Sequence, residues 1–108
     1  MLYITIEMEI PVNFQSNVIQ AIRAVLEPTL ATPGCSSCAL FSDVINSDRF
    51  VYFEEWKSRA AFENHVNSRH FDNVLSCIDL AKEKPKFRIN KTIETDGLKM
   101  VNKIRGTE

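Results

Sequence analysis

Glycine is scarce: Gly34, Gly97 and Gly106 are the only three in 108 residues. They cannot assemble a loop whose backbone N–H groups cradle a phosphate, which excludes the common nucleotide-binding fingerprints. Charge of either sign is equally unremarkable, with a formal net value of −1, so no broad field draws the chain to nucleic acid or an anionic membrane. No apolar run approaches the ~20 residues of a membrane-spanning helix. The start, Met-Leu-Tyr-Ile-Thr-Ile-Glu, lacks the basic opening and long apolar core of a signal peptide, so the expected setting is the cytoplasm. Cysteine is limited to Cys35, Cys38 and Cys77, an odd number that suits a reduced compartment better than a disulfide framework.

Cys35-Ser36-Ser37-Cys38 nevertheless has the spacing of a redox or zinc motif. Redox pairs gain reactivity from a following helix terminus, whereas this one follows Pro33-Gly34 and enters a strand, where positions three apart point to opposite faces. Zinc would need two further ligands that no spacing brings in. Packing is the expected use, and no metal is expected.

What the sequence does contain is periodicity. Residues 2–10 alternate, with Leu2, Ile4, Ile6, Met8 and Ile10 on one side and Tyr3, Thr5, Glu7 and Glu9 on the other, the period of a strand with one apolar face. Pro11 ends it. A helix is predicted over 14–31, capped by Asn13, with Phe14, Val18, Ile22, Val25, Leu26 and Leu30 on one stripe. Strands follow at 35–44 and 49–57, joined by the turn Ile45-Asn46-Ser47-Asp48. Ser58 and Ser68 are placed to cap helices at 59–67 and 69–82. The first presents Phe62, His65 and Val66, the second Phe71, Val74, Leu75 and Ile78. A last strand is expected at 86–95.

That order is β-α-β-β-α-β, a ferredoxin-like α+β unit over residues 1–95 with a four-stranded antiparallel sheet and its helices on one face. Residues 96–108 form a tail, strand or helix, placed to reach a partner subunit. With Val51 and Phe53 assigned beneath the helices, the open side carries Tyr3, Thr5, Glu7, Tyr52, Glu54 and Trp56. An exposed patch with that many aromatics marks a binding surface, and a twofold homodimer would cover it while enclosing a cavity lined by Trp56.

The most informative stretch is 50–71, where Glu54, Trp56, Ala61, His65, Ser68, His70 and Phe71 sit at a strand–helix junction. This spacing resembles the antibiotic biosynthesis monooxygenase (ABM) family of small dimeric α+β barrels. The Pro33-Gly34-Cys35 run resembles that family's turn before its second strand; Cys38 has no counterpart there. The resemblance implies a face-to-face barrel and, for its quinol and aromatic polyketide oxidisers, an oxygenase needing neither flavin nor metal. In such a reaction an electron-rich phenol or quinol loses a proton and its anion reduces O₂ directly.

On that reading His65, His70 and Glu54 are the candidate proton-handling residues, and Trp56, Tyr52, Tyr3 and Thr5 the candidate substrate-binding residues. Each has a plainer alternative: dimer packing for Trp56, a buried hydrogen-bonded histidine at 65, a brace at the bend for His70, an ion pair for Glu54, and aromatic packing for the tyrosines. Two other functions stay open within the same fold. One is a non-catalytic small-ligand-binding dimer and the other an isomerase of a small metabolite. Haem breakdown, which in related barrels uses an Asn on the first strand, is disfavoured because Tyr3, Thr5 and Glu7 occupy those positions.

Overall fold

The alternation of the first strand organises everything that follows. In the computed structural model, which describes residues 1–107, it forms β1, Leu2–Glu9, with Leu2, Ile4, Ile6 and Met8 buried. Helix α1, Gln15–Leu30, comes next, then β2, Cys35–Ser42, and β3, Arg49–Trp56. Helices α2, Arg59–Val66, and α3, Arg69–Ile78, lead into β4, Lys86–Lys91, and a last helix α4, Gly97–Arg105. The sheet order is β2-β3-β1-β4 with every pair antiparallel. The expected α+β ferredoxin-like architecture is therefore present, its second helix divided in two.

Local chemistry explains most element ends. A 3-10 turn, Val12–Phe14, precedes α1, so Asn13 lies inside that turn instead of capping the helix. Gln15 ties this end down instead: its Nε2 donates to Ile10 O and Asp48 Oδ1, each at 3.0 Å. Val18, Ile22, Val25 and Thr29 form the buried stripe, at the three- and four-residue steps of a helix face, while Phe14 and Leu30 turn outward. Ser58 caps α2 by accepting the Ala61 N–H at 3.2 Å. Ser68 makes no such cap; its hydroxyl donates to His65 O at 2.6 Å and fastens the α2–α3 junction. Asp96 caps α4 through the Lys99 N–H at 3.1 Å, and Gly106 closes it in the left-handed conformation (φ 71°).

Gly34 is the one glycine with a tertiary duty. Its φ is +90°, and a Cβ there would stand 2.5 Å from the Ala61 Cβ. Its carbonyl accepts the Lys57 N–H at 2.8 Å. The start of β2 is thus pressed against the first turn of α2.

The register corrects the face assignment of β3. Ile4 is opposite Glu54, Ile6 opposite Tyr52, and Leu2 opposite Trp56, and directly opposed residues share a face. Tyr52, Glu54 and Trp56 therefore lie beneath the helices with the β1 apolar row, all fully buried. Val51, Phe53 and Glu55 lie on the other side with Tyr3, Thr5 and Glu7. The tryptophan stands under its own helices, not on the open face. Hydrophobicity of β3 gives no clear period, because aromatic residues occupy both sides of it. Tyr3 and Phe53 meet edge to face across the open side, centroids 5.4 Å apart.

A second correction concerns the cysteines. A bulge between Cys35 and Ser37 places Cys35 opposite Trp56 and Cys38 opposite Glu54, so one extra residue brings both thiols to the helix side. All three cysteines are free.

Candidate functional site

Glu54 is the hub. Projecting from β3 beneath α2 and α3, its carboxylate is 0% exposed yet accepts hydrogen bonds from three side chains. Trp56 Nε1 donates to Oε1 at 2.8 Å, while Tyr52 Oη and His65 Nε2 both reach Oε2, the latter at 2.8 Å. Alternation along β3 puts Tyr52, Glu54 and Trp56 on one face, and the second turn of α2 lowers His65 onto them. A buried carboxylate without such partners would be strongly disfavoured; three donors satisfy it.

The network fixes the imidazole. With Glu54 Oε2 as the acceptor of this bond, the hydrogen is assigned to His65 Nε2. The His65 ring lies 4.8 Å from Trp56 at 32° and takes the edge of Phe71 at 5.3 Å and 81°. Its other nitrogen, Nδ1, is buried and has no hydrogen-bond partner among the described residues. Of the polar atoms in this cluster, that nitrogen alone is left uncommitted.

On its other side the network continues to Cys38, whose Sγ is 3.3 Å from Tyr52 Oη. Burial, reinforced by the Glu54 charge, pushes the Cys38 thiol up to about 12 and the Tyr52 phenol well above its usual range. Burial also raises Cys35. These groups keep their protons at neutral pH and are poor nucleophiles.

The sheet divides the residues singled out from sequence. Glu54, His65, Trp56 and Tyr52 converge, whereas Tyr3 and Thr5 lie on the opposite face and cannot line the same cavity. On that far side the Tyr3 phenol is raised, chiefly by its hydrogen bond with Glu55. His70, in the first turn of α3, is half-buried and makes no side-chain hydrogen bond among the described residues. Three contributors were not foreseen as site residues. Phe62 and Phe71 enclose the pair of rings, and Cys38 ends the hydrogen-bond chain. Phe62, three residues before His65 on α2, was readable in principle; Phe71 comes from the separate helix α3, and Cys38 depends on a bulge that no residue pattern announces.

A groove of about 380 Å³ lies between α2 and β4, lined by Leu2, Phe62, Ile89, Arg59, Glu63 and Lys91. Phe62 is its shared wall with the cluster, its ring centroid 6.5 Å from that of Trp56.

A sequence profile of the antibiotic biosynthesis monooxygenase family matches residues 1–75, which include β1 through most of α3. The chain belongs to that family. Among curated proteins, the chain is 32% identical over 77 residues to the uncharacterized Synechocystis protein sll1783. That match covers 70% of this chain and 52% of the relative, so the chain spans about half its length. Among solved structures, one described as an antibiotic biosynthesis monooxygenase superposes with a TM-score of 0.76 at 25% identity, covering 87% of this chain and all of the other. Rv0793 from Mycobacterium tuberculosis gives 0.78 at 20% identity, covering 89% and 98%. The ABM fold hosts monooxygenases and non-catalytic proteins alike, so fold leaves the reaction open.

Proposed function

We propose that this ABM protein is a cofactor-independent monooxygenase acting on a small electron-rich aromatic, with His65 Nδ1 as the proton acceptor. The observation that carries the reading is the Glu54–His65 pair with one buried ring nitrogen unpartnered. A buried polar atom left without a partner costs about 1–3 kcal/mol, and such an atom in a native structure calls for an explanation, a catalytic role among them. Here Glu54 orients the ring and supports the imidazolium that proton transfer creates, as a carboxylate does for histidine bases elsewhere.

The substrate enters from the Phe62 side, and movement of that ring opens the way to Trp56 and His65. A hydroquinone O–H gives its proton to Nδ1. The anion passes one electron to O₂, and the radical pair joins to form a carbon–oxygen bond. The imidazolium returns its proton to the peroxide, and loss of water leaves the hydroxyquinone, so one quinol and one O₂ give one hydroxyquinone and one water. The apolar shell of Trp56, Phe62 and Phe71 keeps bulk water from the intermediates. Oxygen uptake with a panel of hydroquinones and anthrones tests the reading: turnover that falls about a hundredfold or more in His65→Ala, the usual range for a general base, supports it. No uptake with any of them refutes it.

A second reading draws on the closure of the cluster, with Trp56 and Glu54 0% and His65 1% exposed. A Glu–Trp–His staple of this kind serves a ligand-binding dimer as well as a catalyst, and binding without oxygen consumption would select it. In either case a homodimer forms through the open sheet face, where Tyr3, Val51, Phe53 and Phe41 leave an apolar surface. The exposed Leu98, Val101 and Ile104 of α4 add to the contact with the partner subunit. A monomer mass by light scattering at micromolar concentration would exclude this assembly.

A further inference from the structure

The groove between α2 and β4 has a chemical bias of its own. The helices do not roof β4, so Ile89 stays 53% exposed although it lies on the same side of the sheet as buried Ile4. Leu2, Phe62 and Ile89 provide an apolar surface. The charges lining this surface are Arg59, Lys91 and Glu63. Arg59 Nε is 2.9 Å from Glu63 Oε1, so those two offset each other. Lys91 has no ion-pair partner within 4 Å among the described residues, and at its register position it lies opposite Leu2. The result is a hydrophobic slot with one uncompensated ammonium, and a net positive rim.

We infer that the groove takes a small aromatic carboxylate. The ring lies against Phe62 and Ile89, and the carboxylate faces Lys91. A cationic or neutral ring of the same shape would fill the apolar part and leave the ammonium without a counter-charge, so the selectivity is for the anion. This assignment rests on the proposed entry of substrate from the Phe62 side and specifies that substrate as acidic.

The probes are 2-naphthoate and its neutral counterpart 2-naphthamide, titrated by calorimetry, with methyl NMR of Leu2 and Ile89 locating the site. The acid is expected to bind about fivefold more tightly than the amide, the scale of an exposed ion pair, and to shift both methyl signals. Lys91→Gln, on an exposed side chain, should bring the two affinities within about twofold of each other while the melting temperature stays unchanged. Equal affinities in the wild type, a preference that survives Lys91→Gln, methyl signals that do not move, or no binding at millimolar probe would each overturn the inference. Oxygen uptake with neutral hydroquinones that depends on His65, alongside failure of naphthoate to bind, would sink this assignment and leave the oxygenase reading standing. Naphthoate binding without any oxygen uptake would do the reverse.

Discussion

Replacing Glu54 tests the hub from which the site is built. Glu54→Leu keeps most of the volume and removes both acceptor oxygens, leaving the Trp56 N–H, the His65 Nε2–H and the Tyr52 O–H facing hydrocarbon. Each buried unsatisfied donor costs about 1–3 kcal/mol, so the three together cost about 3–9 kcal/mol. Tyr52 can turn toward the Cys38 sulfur at 3.3 Å, a weak acceptor that recovers part of its share. Set against a typical domain stability of about 5–15 kcal/mol, Glu54→Leu should be severely destabilised or unfolded. Glu54→Gln is different. Its carbonyl can keep the Trp56 N–H, and its amide can donate to Tyr52 and to His65 if the imidazole proton moves to Nδ1. The cost should fall to about 1–2 kcal/mol, one impaired charge-assisted hydrogen bond, and the uncommitted nitrogen should become a donor. Urea unfolding followed by the emission of Trp56 measures the first effect, and ¹⁵N imidazole spectra at about pH 8, above the ordinary histidine range, measure the second. A Glu54→Leu protein within ~1 kcal/mol of wild type, less than one unsatisfied donor, would refute the hub. A wild-type spectrum with the proton on Nδ1 would refute the tautomer assignment.

Gly34→Ala should lose about 2–5 kcal/mol in chemical denaturation, combining a left-handed backbone penalty of about 1–2 kcal/mol with overpacking against Ala61; an unchanged midpoint would show that β2 shifts freely. Asp48 is held below its ordinary value chiefly by Lys82, and Lys82 is raised chiefly by Asp48. The depressed carboxyl contributes stability that is complete above its unfolded value near ~4 and lost as pH falls through the folded value, and the raised ammonium contributes stability lost as pH climbs past ~10. Asp48→Asn should therefore narrow the difference in melting temperature between pH 7 and pH 3, and an unchanged difference would count against the pairing. With the Cys38 thiol pushed up to about 12 and Cys77 to about 11 by burial, a thiol reagent at pH 8 should label neither in the native protein and both after unfolding. Rapid native labelling would contradict the packing.

Much of the fold was readable because single residues announced it. The strict alternation of Leu2 to Ile10 identifies β1, and Ser58 with Ala61 marks where α2 begins. The cluster was half readable. Glu54, Trp56 and His65 stood out by spacing, but their side of the sheet did not, because Phe50-Val51-Tyr52-Phe53 carries apolar bulk in both phases. Placing Glu54 outward follows from setting Val51 and Phe53 beneath the helices; the pairing with β1, and the bonds from Tyr52 and Trp56 on its own strand and His65 on α2, reverse it. Leu75 and Val66 misled for the opposite reason: apolar and correctly spaced for a helix stripe, they remain 45% and 38% exposed at its margin. The helical character of residues 97–105 rests on the Asp96 cap and the Gly106 stop, signals that weak periodicity obscured.

The two rims of the sheet carry a different consequence. A strand with an unpaired side offers its backbone amides to any other chain and so invites fibrils. β2 interrupts that template with the irregularity between Cys35 and Ser37, which twists the strand where a stacking neighbour would align. β4 deters visitors with Lys86, Arg88 and Lys91 distributed along six exposed residues. A copy arriving in register at that border would set cation against cation, so the chain guards its margins against runaway polymerisation.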